Sequence, residues 1–127
     1  LRAIIDRTKQ PERIGVCFDT QHGFASGYDI RDEKGWNETF QEFDRVVGLK
    51  WLKCFHINDS KKELGSRVDR HEKIGQGLLS METFWCLVND ERFADLPMLL
   101  ETPVQDGMEY ADELVILRNL MGASKPN

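Results

Sequence analysis

Histidine is scarce in this chain: His22, His56 and His71 are the only three among 127 residues. Cysteine is equally rare, and Cys17, Cys54 and Cys86 are odd in number, far apart and without a CxxC pair. That pattern excludes a disulfide framework and a zinc ribbon, and reads as buried, reduced thiols of an intracellular, cytoplasmic protein. No apolar run approaches the roughly 20 residues of a spanning helix, and the N-terminus lacks a signal-peptide layout, so no membrane association is expected. A basic excess is missing as well. The formal net charge of −5 counts against a nucleic-acid surface spread over the whole chain. It leaves room for a local one, because bound divalent cations offset carboxylates. What is present, 40% hydrophobic and 31% charged residues in a chain of 127, suits one soluble globular domain over 1–127.

Apolar spacing divides the chain into alternating elements. Leu1, Ile4 and Ile5 have helical spacing and read as the end of a helix whose start lies elsewhere, stopped by Pro11. RIGVCFDT (13–20) is a nearly continuous apolar run, as in a strand buried on both faces of a parallel sheet. A polar, glycine-bearing loop follows over 24–32. Trp36, Phe40, Phe43 and Val47 then recur at helical spacing before Gly48, a helix whose aromatics belong to the core. Residues 49–57 form a second strand. Ser80 caps a helix carrying Met81, Phe84, Leu87 and Val88, and PMLLE (97–101) is a third strand. The last helix spans 108–121, with Glu109, Asp112 and Glu113 early and Arg118 late to suit its dipole, and the SKPN tail is expected to fray. Alternation without a hairpin signal predicts an α/β fold: βαβ units on a parallel sheet.

In such sheets chemistry gathers at the C-terminal strand ends. Asp19 and His22 follow the first strand, His56 ends the second, Glu101 ends the third, and Asp69 and His71 lie in the loop after the second. Few histidines, each near an aspartate at the end of an apolar segment, point to a metal centre. Each residue also has a plainer reading. Asp19 and Thr20 serve as a turn or cap, His56 as a satisfied core histidine, and RVDRHEK as a solvated loop. In an extended loop, however, i and i+2 project to one side, so Asp69 and His71 can grip one ion. A carboxylate ending as apolar a strand as PMLL is costly unless a cation meets it. Asn58 and Asp59 read as loop residues or groups that orient ligands. Among the basic residues, Lys61 and Arg70 have the best case for meeting a phosphate.

The stretches VCFDTQHGFASGYD and HINDSKKELGSRVDRHEKIGQG, with LLETP, closely resemble motifs of the endonuclease IV family of abasic-site endonucleases. The match runs from about Arg13 to Met121. One departure is Gln21, where the family commonly has Cys, a change that bears on local packing more than on metal binding. The resemblance implies a xylose-isomerase-like (β/α)8 barrel with three zinc ions, cleaving double-stranded DNA 5′ to an abasic site in base excision repair. It implies Asp19, His56 and Glu101 as ligands of one zinc, and His22, Asp69 and His71 as the full protein ligand set of another. The family's bridging glutamate and two further histidines come from earlier strands. Residues 1–127 are therefore expected to be the C-terminal part of a barrel of about 250 residues, with the N-terminal half absent and the whole enzyme a monomer. Clustered zinc suits phosphodiester hydrolysis, since it acidifies water and relieves charge on the phosphate, so no side-chain nucleophile is needed.

Two other functions fit parts of the sequence. A metal-dependent sugar isomerase or epimerase of the same barrel type also places Asp, His and Glu at strand ends, but has less use for the extra Asp69-x-His71 pair. A half-barrel with exposed sheet edges that binds a partner without chemistry is the other.

Overall fold

The computed structural model describes residues 1–104 and 109–126. Helix α1 (Arg2–Arg7) leads through a 3₁₀ turn at Pro11–Arg13 into strand β1 (Val16–Asp19). Helix α2 (Thr20–Ala25) follows at once, then α3 (Glu33–Val46), a 3₁₀ turn at Leu49–Trp51 and strand β2 (Leu52–Ile57). Two short strands, β3 (Asp59–Ser60) and β4 (His71–Glu72), bracket the next loop. Helix α4 (Met81–Asn89), a turn at Glu91–Phe93, strand β5 (Met98–Leu100) and helix α5 (Tyr110–Leu120) complete the order. The expected start of the last helix at Met108 lies outside the described residues.

Three parallel strands in the order β1-β2-β5 form the sheet, as the alternation of apolar segments predicts. Phe18, Phe55 and Met98 stand in register and point to the helical side. There Phe55, Trp36, Phe40 and Phe93, all but fully buried, pack with ring centroids 4.6 to 6.3 Å apart. Burying each such ring contributes up to about 3 kcal/mol, so this cluster fixes the α3 face to the sheet.

The opposite face differs from the expectation of a sheet buried on both sides. Cys17 is exposed, its register partner Cys54 is half-buried, and Leu99 is 49% exposed. Among the described residues no helix covers this face, so of the three thiols only Cys86 is buried as expected. Burial pushes the Cys86 thiol up to about 12.

Local chemistry sets the boundaries. The first strand stops at Asp19 because its carboxylate caps α2, accepting the His22 amide at 3.0 Å, which turns the expected loop start into helix. Asp32 caps α3 through the Gly35 amide, and Gly48, at φ 97°, turns the chain after that helix. Ser80 caps α4, and Glu109 and Asp112 form a capping box on α5. Glu113 does not serve the dipole as a surface acid. It is fully buried, accepting the Ile74 amide at 2.9 Å and the Thr102 hydroxyl. Within the tail expected to fray, Lys125 pairs with Glu33 at 3.2 Å and Glu82 at 3.1 Å, and Asn127 lies outside the described residues.

The sequence predicts no hairpin, yet β3 and β4 pair antiparallel, Asp59 opposite Glu72 and Ser60 opposite His71. Two-residue strands are too short to show alternation in sequence. Their ladder closes the base of the loop between them and leaves the three-stranded sheet parallel. No described helix is long and apolar enough to cross a membrane.

Candidate metal centre

Parallel register brings the strand ends to one rim. Asp19 is the register partner of His56, and Glu101 directly follows β5 beside them. His56 Nδ1 lies 3.0 Å from Glu101 Oε2 and 3.7 Å from Asp19 Oδ2. Ligand atoms of Asp19, His56 and Glu101 all fall within 4.8 Å of one another. Glu101 is 54% exposed at its side chain, so the carboxylate is not forced into an apolar site by its strand, contrary to the sequence expectation. Asn58, fully buried, holds this rim from behind. Its Nδ2 donates to Asp19 Oδ2 at 2.9 Å, and its Oδ1 accepts the Glu101 amide at 3.2 Å.

A second group assembles from two distant segments. Helix α2 supplies His22, while Asp69 and His71 arrive on the loop that β3 and β4 close. His22 Nε2 and His71 Nε2 each lie 3.2 Å from Asp69 Oδ1 and 3.4 Å from each other. His71 Nδ1 sits 3.1 Å from the Glu101 carbonyl, which can only accept. The ring proton therefore belongs on Nδ1, and Nε2 presents a lone pair to Asp69 and His22. Three such atoms converging on one point need a proton or a cation between them, and two imidazoles with a carboxylate make a fitting donor set for a zinc-like ion. Asp19 lies between the two groups, with Oδ2 3.8 Å from His22 Nδ1, and its ligand atoms also cluster with those of His22 and His71.

The loop is fastened to α2. Gly65 N donates to Phe24 O at 3.0 Å, and Arg67 N to Ala25 O at 2.9 Å. Arg67 sits at φ 57°, in the left-handed region that few residues other than glycine adopt. Gln21 is buried, and its Nε2 donates to Val68 O at 2.9 Å, while its Oε1 finds no partner among the described residues. The residue at which the sequence departs from the family's usual Cys thus clasps the loop that carries Asp69.

Neither residue expected to meet phosphate is a donor to the metal-type cluster. Lys61 is exposed and lies 3.8 Å from Glu72, and exposed Arg70 donates to the Asp69 carbonyl at 2.7 Å. Sequence reasoning also missed how much of the loop rests on buried acids. Asp59 accepts four backbone amides, those of Ser60, Gly75, Gly77 and Leu79. Burial raises its carboxyl above the usual range, and those amides work against the shift. The signal available was the pair of glycines closing the motif: Gly77, whose lack of a Cβ admits that carboxylate, and Gly75, which takes a positive φ.

A parallel α/β sheet with Asp, His and Glu side chains gathered on its C-terminal rim is the arrangement of a barrel-type fold with candidate metal-ligand groups. The chain belongs to the xylose isomerase-like TIM barrel family, whose model matches residues 1–120. It is 60% identical over 111 residues to a probable endonuclease 4 of Chloroflexus aurantiacus, covering 87% of this chain and 39% of that protein. A probable endonuclease 4 of Geobacter sulfurreducens is 54% identical over 110 residues, with 87% of this chain and 37% of that protein covered. The crystal structure of endonuclease IV from Thermus thermophilus superposes with a TM-score of 0.79 at 34% identity, over 94% of this chain and 41% of that one. The chain thus spans about two-fifths of the length of the relatives it matches.

Proposed function

We propose that this chain is the C-terminal part of a zinc-dependent abasic-site endonuclease of DNA repair. The substrate is double-stranded DNA, cut 5′ to an abasic nucleotide to leave a 3′-hydroxyl. The observation that carries the reading is the convergence of His22, Asp69 and His71 from two separate segments, in a chain 60% identical to a protein named probable endonuclease 4. His22, Asp69 and His71 hold one zinc, and Asp19, His56 and Glu101 contribute to a second. Zinc supplies Lewis acidity there, relieving charge on the scissile phosphate and making water a stronger nucleophile near neutral pH. The chain's own residues do the rest. The Glu101 carbonyl keeps the His71 proton on Nδ1, and Asn58 keeps Asp19 Oδ2 turned to the rim. Lys61 and Arg70, exposed on the loop, engage phosphates and so position the duplex without reading its sequence. The strand ends upstream in the barrel supply the remaining ligands.

Nicking of a duplex with one abasic site tests this. A chimera joining this chain to the upstream part of the Chloroflexus aurantiacus relative is expected to nick 5′ to the site and to lose activity on zinc removal. Conversion of a ketose in place of nicking would reject the endonuclease in favour of a sugar isomerase.

A further inference from the structure

The Asp59 carboxylate is fully buried and occupied on both oxygens. Oδ1 accepts Ser60 N at 2.7 Å and Leu79 N at 2.9 Å, and Oδ2 accepts Gly75 N and Gly77 N, each at 3.0 Å. Backbone amides curved around an oxyanion are the geometry with which proteins bind external anions. Here the anion is part of the chain. The fit leaves no spare room, because a Cβ on Gly77 would lie 2.3 Å from Asp59 Oδ1 and 2.5 Å from the Ser60 carbonyl. Gly75 takes φ 79°, which turns its amide into the ring at no steric cost. A second buried acid, Glu113, takes the Ile74 amide just before the ring.

This ring sits directly behind the ligand-bearing loop. Asp59 begins β3, which pairs with β4 so that Ser60 faces His71, and Lys61 N bonds Arg70 O at 3.0 Å. The same residue therefore anchors one side of the ladder and seats the segment that leaves the other side. We infer that Asp59 is a positioning residue for the His22, Asp69 and His71 donors: an internal anion that seats the 74–79 segment and thereby fixes where β4 delivers His71. Asp59 touches none of the three donors and acts through the backbone. The consequence is large because donor atoms 3.2 to 3.4 Å apart leave little latitude, and displacements of about 0.5 Å spoil such a site. The inference rests on the proposed metal reading for its ligand, though not for the geometry of the ring.

Asp59→Asn is nearly isosteric but turns an amide NH₂ against two of the backbone N–H groups. Zinc titration of the chain, followed by NMR of the histidine rings and backbone amides, separates the outcomes. With the β1-β2-β5 amides unchanged, Asp59→Asn is expected to speed exchange at Gly75 and Gly77. It should weaken zinc binding seen at the His22 and His71 rings by about 10- to 100-fold. Zinc-linked changes at His56 should keep their wild-type midpoint, a split that general loss of stability would not produce. Wild-type affinity at His22 and His71 in a folded Asp59→Asn variant overturns the inference. If that variant does not fold, Gly77→Ala, which keeps the carboxylate but crowds the ring, carries the same test with the same overturning result. Should the wild-type chain bind no zinc, the metal reading fails by itself. Asp59 is then judged by ring resonances and exchange, and unchanged His71 and Gly75 signals in Asp59→Asn overturn its role.

Discussion

His22 and His71, 49 residues apart in sequence, face each other Nε2 to Nε2 at 3.4 Å, with Asp69 Oδ1 3.2 Å from both. Nothing local to either histidine demands this, since one rides on α2 and the other on β4. If the three hold an ion, His71→Ala should remove one equivalent of tightly bound zinc from the purified chain and leave the fold intact, as measured by metal content after dialysis. Equal zinc in both proteins would reject the assignment.

Asn58 ties Asp19 to the strand bearing Glu101, and it is completely buried. Asn58→Ala leaves the Asp19 carboxylate and the Glu101 amide each without this partner. The expected cost is about 1–3 kcal/mol of stability in denaturant unfolding. Asn58→Asp should be no milder, since it sets a second carboxylate against Asp19. A change below about 0.5 kcal/mol would mean that water replaces the amide without loss.

Phe93 shows how the core depends on a short turn that sequence periodicity does not reveal. Its ring lies 4.8 Å from Phe40 and 5.0 Å from Phe55 by centroid, and it is almost wholly buried. Phe93→Ala should destabilise the chain by about 3–5 kcal/mol in the same unfolding measurement.

Much of this molecule was legible because its elements are periodic or abruptly punctuated. The aromatic row of α3, the Ser80 cap and the three apolar strands are local patterns, and the parallel sheet follows from their alternation. Local patterns also located the rim residues, because strand ends in such sheets share a side. The six-residue α2 was not legible, being too short for a helical period and started by an Asp19 cap that reads equally as a turn. The roles of Asp59 and Glu113 were hidden for another reason. Most of their partners are backbone amides, of which Gly75 lies 16 residues from Asp59 and Ile74 lies 39 from Glu113, and an amide leaves no residue-type signature. The exposure of the Cys17 thiol was equally hidden, because a continuous apolar run does not tell how many faces of its strand are covered.

Asp90 gives a pH dependence away from the rim. Burial pushes its carboxyl up, but hydrogen bonds from Arg92 and the Trp36 indole outweigh this and hold it below the ordinary range. A folded pKa below the unfolded value of about 3.9 stabilises the chain above that pH, and the contribution is lost as pH falls through the folded value. Wild type should therefore lose stability on acidification below about pH 4 more steeply than Asp90→Asn. Parallel unfolding curves for the two proteins between neutral and acid pH would show that Asp90 carries no such linkage.

The last expectation concerns Arg70, which stands between two of the proposed zinc ligands. Its guanidinium is exposed and donates to the Asp69 carbonyl at 2.7 Å, so it leans on the loop without entering the donor cluster. An exposed cation beside a rim proposed to bind phosphate is free to exchange that neutral carbonyl for an anionic phosphate oxygen. Arg70→Ala should then leave zinc content unchanged. In the barrel chimera it should weaken binding to abasic duplex and reduce the slope of log affinity against log salt by about one. Lys61 is a weaker case, because Glu72 lies 3.8 Å from its ammonium and competes for it. The decisive comparison is the salt slope of wild type and Arg70→Ala, each with its zinc measured beforehand. An unchanged slope with zinc retained removes Arg70 from the phosphate contacts. Loss of zinc would instead mean that its bond to the Asp69 carbonyl holds the ligand loop in place.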